Sequence, residues 1–246
     1  MVNIQSISFR SNSLRETRGL TIFLPKDYRP GRSIPVVFCA DGQAVGGMST
    51  NVVSAVEGGF IPPIVLIGVH SSSNNRAQEY VVGVNKTVFE AHERFFVEEV
   101  PQWLEAELGI SPERQTCGVF GFSNGGTFAV SMGVRHRDKF GVVIAFSVAP
   151  GPERTAGSEF AATPVPRYYL AAGTREGGFR KTTRAIARTL GRHGVTCVYQ
   201  EREAGHDFSF WATEFPQAIR WAFRGGLAER LTEITKRLWR RTSAER

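Results

Sequence analysis

The stretch from Cys117 to Val130, Cys-Gly-Val-Phe-Gly-Phe-Ser-Asn-Gly-Gly-Thr-Phe-Ala-Val, narrows the choice of fold more than any other part of the chain. A short apolar run ends at Gly121, Ser123 sits between Gly121 and Gly125, and small and apolar residues then resume at helical spacing. The pattern is strand, tight turn, helix, with Gly-x-Ser-x-Gly in the turn. Such a turn holds its serine in a strained backbone conformation and lifts the hydroxyl above the end of the sheet. A side chain at Gly121 or Gly125 is expected to collide with the neighbouring strand or helix. The first amide after the serine, on Asn124, then faces any oxyanion that forms beside the hydroxyl. The competing reading is a glycine-rich helix start with Ser123 as its cap.

With 246 residues, 41% of them hydrophobic, the chain can build one substantial core, and a single domain over 1–246 is expected. It has no internal repeat, low-complexity tract or long linker. The three cysteines, Cys39, Cys117 and Cys197, form no CxxC and each lies in an apolar run, which argues against a disulfide framework or a zinc site. Neither a metal nor a cofactor is expected. Met1 to Arg18 lacks an apolar signal-type segment, and no run approaches membrane-spanning length, so the expectation is a soluble, cytoplasmic protein without a membrane span. The net charge is +7; the eight basic and three acidic residues from Arg220 to Arg246 supply +5 of it, leaving +2 for the rest. Charge this uneven marks the tail rather than the whole fold, and no nucleic-acid partner is expected.

Residues 4–9 and 19–24 predict two antiparallel strands, with Pro25 ending the second. The continuous apolar runs at 35–40 and 64–70 suit strands covered on both faces of a parallel sheet. Thr87 to Leu108 predicts a helix, kinked or restarted at Pro101. After the serine turn come a helix at 124–135, strands at 141–146 and 167–172, a helix at about 179–192, a last strand at 195–201, and closing helices at 211–223 and 227–241. Strands alternating with helices give a mainly parallel sheet covered on both faces. With the nucleophile turn in mid-chain, this is the plan of an α/β-hydrolase. The segment from Ser147 to Pro166, about twenty residues, is too short for a cap domain, so an open site roofed by loops at 43–62, 71–86 and 147–166 is expected.

A serine hydroxyl needs a base in hydrogen-bond reach, and the base needs an orienting acid. In this fold the chain order is serine, acid, histidine. Of the five histidines, His70 and His92 precede the serine, His136 lies at the far end of its helix, and His193 ends a surface helix. His206, in the loop after the last strand, remains as the base. The acid has two candidates. Glu176 follows the 167–172 strand in a glycine-flanked loop and is favoured; Asp207 adjoins His206, and adjacent side chains usually diverge. The bland reading of Glu176 is a surface charge beside Arg175, worth little. The second oxyanion donor is expected from the loop after the 36–40 strand, at the amide of Gln43 or alternatively Gly42, with Asp41 as a structural turn residue.

Assembled, these residues resemble the putative-esterase family of α/β-hydrolases, which includes esterase D-like enzymes, enterochelin esterases and mycolyltransferases. Val37 to Gln43 resembles the family's strand and oxyanion loop, and Arg76-Ala77-Gln78-Glu79-Tyr80 its Arg-x-x-Glu-Tyr/Leu loop. Phe96 to Glu105 is similar to the helix before the nucleophile strand, Gly121 to Gly126 to the nucleophile turn, and Gly205-His206-Asp207 with Trp211 to the histidine loop. Asn124 departs from the family, which often has Met or Lys there, and the stretch around Glu176 resembles the enterochelin-esterase side. The resemblance implies hydrolysis of a small-molecule carboxylic ester.

Two other readings share the constellation: an acyltransferase with an alcohol acceptor, and a silent binding protein on the same fold. Arg180, Arg184 and Arg188 recur at four-residue spacing near Arg175, as a solvated helix face or an attractor for an anionic substrate. The basic amphipathic segment 227–246, with Leu227, Leu231, Ile234 and Leu238 in one stripe, is expected to pack on the core; a homodimer contact or an anionic membrane surface is the alternative.

Overall fold

The computed structural model describes residues 2–31, 33–150 and 157–223. Eight strands form one sheet: β1 (Val2–Arg10), β2 (Thr17–Pro25), β3 (Val36–Cys39), β4 (Val65–Val69), β5 (Cys117–Phe122), β6 (Val142–Phe146), β7 (Arg167–Gly173) and β8 (Cys197–Arg202). Their order across the sheet is β1-β2-β4-β3-β5-β6-β7-β8. The expected antiparallel pair, β1 and β2, joins β4 at one edge, and the remaining pairings are parallel. All the parallel strands therefore end on the same edge, where loops from β3, β5, β6, β7 and β8 converge. In open α/β sheets that edge is where ligands bind.

The apolar runs are continuous because each strand feeds two cores. Along β6, Val143 and Ala145 join one apolar cluster while Val142, Ile144 and Phe146 join the other. The first cluster is closed by α3 (Lys86–Arg94), α4 (Val100–Leu108), α5 (Asn124–Arg135) and α6 (Gly178–Arg192), through Phe89, Leu104, Phe128 and Leu190. The second is closed by α1 (Val45–Glu57) and α7 (208–223), through Met48, Val52, Phe215 and Ile219. Phe120 of β5 stacks on Phe215 of α7 with ring centroids 4.0 Å apart. This is the α/β-hydrolase fold, and among the described residues no inserted domain stands between β6 and β7.

Two expectations change. The segment 43–62 is not a loop: it holds a 3-10 turn (Gly42–Ala44) and α1. The segment 71–86 contains α2 (Arg76–Tyr80). The expected restart at Pro101 is present: α4 begins at Val100 with Pro101 in its first turn, after a π-helical turn, Phe95–Glu99, that the sequence did not indicate and in which the Val100 amide bonds to Phe95 five residues back. Pro101 has no N–H for the carbonyl of Val97, and the Lys139 ammonium donates to that oxygen instead, at 2.8 Å. The expected helix at 227–241 and part of the expected roof at 147–166 lie outside the described residues. No helix among the described residues is long and apolar enough to cross a membrane.

His92 sits fully buried against Tyr80, Phe95, Phe96 and Phe128, and neither ring nitrogen has a hydrogen-bond partner among the described residues. Burial pulls its pKa down to about 4, against the attraction of Glu79, 3.7 Å away, and with help from Arg18. A histidine that stays neutral in the native state binds fewer protons there than when unfolded. Its contribution is therefore intact above pH 6.5 and is lost as pH falls from 6.5 toward 4, by roughly 3 kcal/mol in all. His92→Phe should remove that component: thermal melts from pH 7 to 4.5 should show a shallower fall in Tm for the variant. An identical pH slope would mean that His92 takes up a proton in the native state.

Candidate active site

Ser123 follows directly on β5 with φ 58° and ψ −127°. This is a conformation that side chains avoid, costing on the order of 1–3 kcal/mol. It persists because the surroundings hold it: the Ser123 amide donates to Phe146 O at 3.0 Å, and the Ser123 carbonyl accepts from Gly126, Thr127 and Ala149. The glycines admit this packing. A Cβ at Gly121 would lie 2.0 Å from Gly125 O, in the first turn of α5, which is the expected collision with the neighbouring helix. One at Gly125 would lie 2.8 Å from the Asp41 carboxylate, and one at Gly126, a position the sequence did not single out, 2.7 Å from Phe146 O.

His206 arrives in the loop between β8 and α7. Its Nε2 lies 3.1 Å from Ser123 Oγ and its Nδ1 2.8 Å from Glu176 Oε1. The Glu176 side chain is fully buried, and its other oxygen accepts from the Gly173 amide at 2.6 Å. With Nδ1 donating to Glu176, Nε2 is free to accept from the serine. The loops carrying these residues are tied together, since the Thr174 amide donates to Arg202 O and the Arg175 amide to Ala204 O. Arg180 donates to Thr174 O, while Arg175 lies beside Glu203 and leaves Glu176 to the histidine. Arg184, the middle of the basic row, is paired with Glu201 on β8.

Asp207, the other candidate acid, faces away. Its Oδ1 accepts from the Phe210 amide at 2.9 Å and from Ser209 Oγ at 2.6 Å, so it caps α7, which starts three residues earlier than expected. The remaining histidines are engaged elsewhere. His70 bonds Thr21 at 2.8 Å, His136 bonds Glu93 at 2.8 Å, His92 is in the core, and His193 ends α6.

The loop after β3 faces the serine from the other side. Asp41 adopts φ 55° and precedes the 3-10 turn that contains Gln43. Gly42 rests directly on β4, for a Cβ there would lie 2.1 Å from the Gly68 carbonyl carbon. The amides of Gln43 and Asn124 both belong to first turns, of a 3-10 helix and an α-helix, which have no internal acceptor for them. The Gln43 side chain is tied to Ser71, its Nε2 donating to Ser71 Oγ at 2.9 Å.

Sequence reasoning did not foresee three further neighbours. Phe179 stacks on the His206 ring with centroids 3.9 Å apart, and Trp211 meets that ring edge-on at 4.8 Å. Trp211 is itself fixed, stacked on Phe122 at 4.3 Å and donating from Nε1 to the buried Ser147 at 2.8 Å. Trp211 was visible only as part of the histidine-loop pattern; Phe179 follows Gly177-Gly178 at the start of α6 and carried no signal by itself. Arg76, noted only as the first residue of a loop pattern, forks onto Asp41. One turn beyond Ser123, at Thr127, begins a mostly apolar groove of about 460 Å³ between α5 and α6, lined among others by Val81, Val130, Val148, Phe160 and Ile186. Among the described residues no cluster of side chains is arranged to hold a metal ion.

Solved structures share this architecture. A ferulic acid esterase superposes with a TM-score of 0.75 at 18% identity, over 91% of this chain and 98% of that one. The enterobactin esterase of Shigella flexneri does so with a TM-score of 0.77 at 20% identity, over 92% of this chain and 60% of that one. The S-formylglutathione hydrolase of Staphylococcus aureus gives 0.71 at 14% identity, over 90% and 99%. At these identities the likeness speaks for the fold. A family model described as putative esterase matches residues 11–222, a span that takes in Asp41, Ser123, Glu176 and His206 alike. From the turn of the first hairpin to the helix behind His206, then, this chain belongs to the putative esterase family.

Proposed function

We propose that this protein hydrolyses a carboxylic ester through an acyl-enzyme on Ser123. The observation that carries the reading is the continuous hydrogen-bond chain from Ser123 Oγ through His206 to the buried Glu176. In this reading His206 Nε2 takes the serine proton as Oγ attacks the ester carbonyl, and Glu176 holds the ring and balances the imidazolium. The amides of Asn124 and Gln43 hold the oxyanion; losing one such donor typically costs about 3 kcal/mol of transition-state stabilisation. The imidazolium returns the proton to the departing alkoxide, which leaves as the alcohol. Water, deprotonated by the same nitrogen, then releases the carboxylic acid. Phe179 and Trp211 keep the ring facing the serine. The groove beginning at Thr127 suits an apolar or aromatic portion of the ester.

The family and the ester-cleaving enzymes among the structural neighbours support this class of reaction. Their names, ferulic acid esterase and enterobactin esterase, suggest which esters to try first. The test is a panel of p-nitrophenyl acyl esters, feruloyl esters, thioesters and siderophore lactones, each run with and without an alcohol acceptor. Carboxylic acid release that is indifferent to the acceptor is expected. Product partitioning toward the new ester would make the protein an acyltransferase, and inertness across the panel would leave a binding protein on this fold.

A further inference from the structure

We propose that Arg76 is a positioning residue for the oxyanion hole, acting through Asp41; the inference rests on the ester-hydrolase reading above. The guanidinium forks onto the Asp41 carboxylate, Nε to Oδ1 and Nη2 to Oδ2, both at 2.6 Å. The same Nη2 lies 3.4 Å from the carbonyl of Phe122. Asp41 stands two residues before Gln43, and Phe122 two residues before Asn124. One planar group thus spans the two backbone segments whose amides are assigned to the oxyanion.

The surroundings say that this contact is tight rather than incidental. The Asp41 side chain is only 4% exposed, and its Oδ2 sits where a Cβ on Gly125 would come within 2.8 Å. Asp41 is held in the left-handed region at φ 55°, an unfavourable conformation for a side-chain-bearing residue. Its amide donates to the Tyr80 hydroxyl at 2.7 Å, and Ser71 Oγ donates to its Oδ1 at 3.1 Å. Arg76 and Tyr80 both lie on α2, with the guanidinium 5.4 Å from the Tyr80 ring centroid. Glu79 pins that helix by accepting from Arg18 at 2.7 and 3.1 Å and from the Ser72 amide at 2.8 Å.

Oxyanion donors act only when they lie about 2.7–3.1 Å from where the charge develops. A misplacement of about 1 Å can cost on the order of 10²-fold in rate. A lysine cannot make the two parallel bonds of the fork, so Arg76→Lys keeps the charge and loses the register.

The test uses Arg76→Lys, Asp41→Asn and the double variant in the full chain, with rates normalised to active sites titrated by a fluorophosphonate. Each single change is expected to lower kcat on p-nitrophenyl butyrate about 10²-fold with KM within about threefold. Each should also weaken phenylboronic acid, which forms a tetrahedral adduct on the serine, by a similar factor. The double variant should be no worse than either single one, because both act along one route. Tyr80→Phe, which keeps the ring and removes only the acceptor for the Asp41 amide, should lower kcat about tenfold and remains informative if the charge variants fold poorly. A merely structural role would lower Tm and the titrated fraction while leaving turnover per labelled site and boronate affinity intact; that result, or effects that multiply in the double variant, would overturn the proposal. A wild type that neither labels nor turns over would instead overturn the ester-hydrolase reading, and this inference with it.

Discussion

Ser123→Ala is expected to lower turnover of p-nitrophenyl esters by roughly 10⁶-fold and to abolish labelling by a fluorophosphonate. The expectation is this large because Ser123 would supply the bond-forming atom, and among the described residues no other hydroxyl is bonded to His206. Any residual rate would come from the oxyanion donors acting on a water held by His206. The substitution removes one partly buried oxygen and leaves the backbone bonds of the turn untouched, so Tm should stay within a few degrees. A variant of normal stability with wild-type turnover would show that ester cleavage occurs elsewhere on the molecule.

Glu176→Gln is expected to cost about 10⁴-fold in kcat, with the fold intact. Glutamine keeps the shape, but its amide can present an N–H toward Nδ1, which turns the ring to the wrong tautomer and leaves the imidazolium unbalanced. Asp207→Asn should leave kcat within about threefold, since asparagine is as good a helix cap as aspartate. Asp207→Ala, which removes the acceptor for the Phe210 and Ser209 donors, should cost about 1 kcal/mol of stability without the kinetic loss. Measured side by side, the carboxyl bonded to His206 and the carboxyl next to it in sequence should separate by at least about a hundredfold in kcat. The reverse ranking would assign the acid to Asp207.

Much of this was legible before any coordinates. The strands read clearly because β3 to β7 are buried on both faces, so nearly every position is apolar. The serine turn read clearly because glycine is the only residue that fits at 121, 125 and 126 without displacing backbone or the Asp41 carboxylate. His206 followed from loop placement, and Glu176 from its place after a strand, both properties of chain order.

What stayed hidden depends on contacts between distant residues. Helix α1 contains Gly46, Gly47 and several β-branched or hydroxyl residues, all poor helix formers, and reads as loop. It forms because Val45, Met48 and Val52 are buried in the second core. The fork of Arg76 onto Asp41 joins positions 35 apart, and the stacking of Phe179 on His206 depends on how α6 enters after Gly177. The π-helical turn shows the same limit: Pro101 signals an interruption, but Lys139, which satisfies the freed carbonyl, comes from beyond α5.

The most direct test of the account is to treat the full-length protein with a fluorophosphonate and locate the adduct by peptide mass spectrometry. The account predicts stoichiometric modification at Ser123, in step with loss of p-nitrophenyl esterase activity and absent in Ser123→Ala and much slowed in His206→Ala. An adduct on any other residue, or an active enzyme that the reagent leaves unmodified, would contradict it.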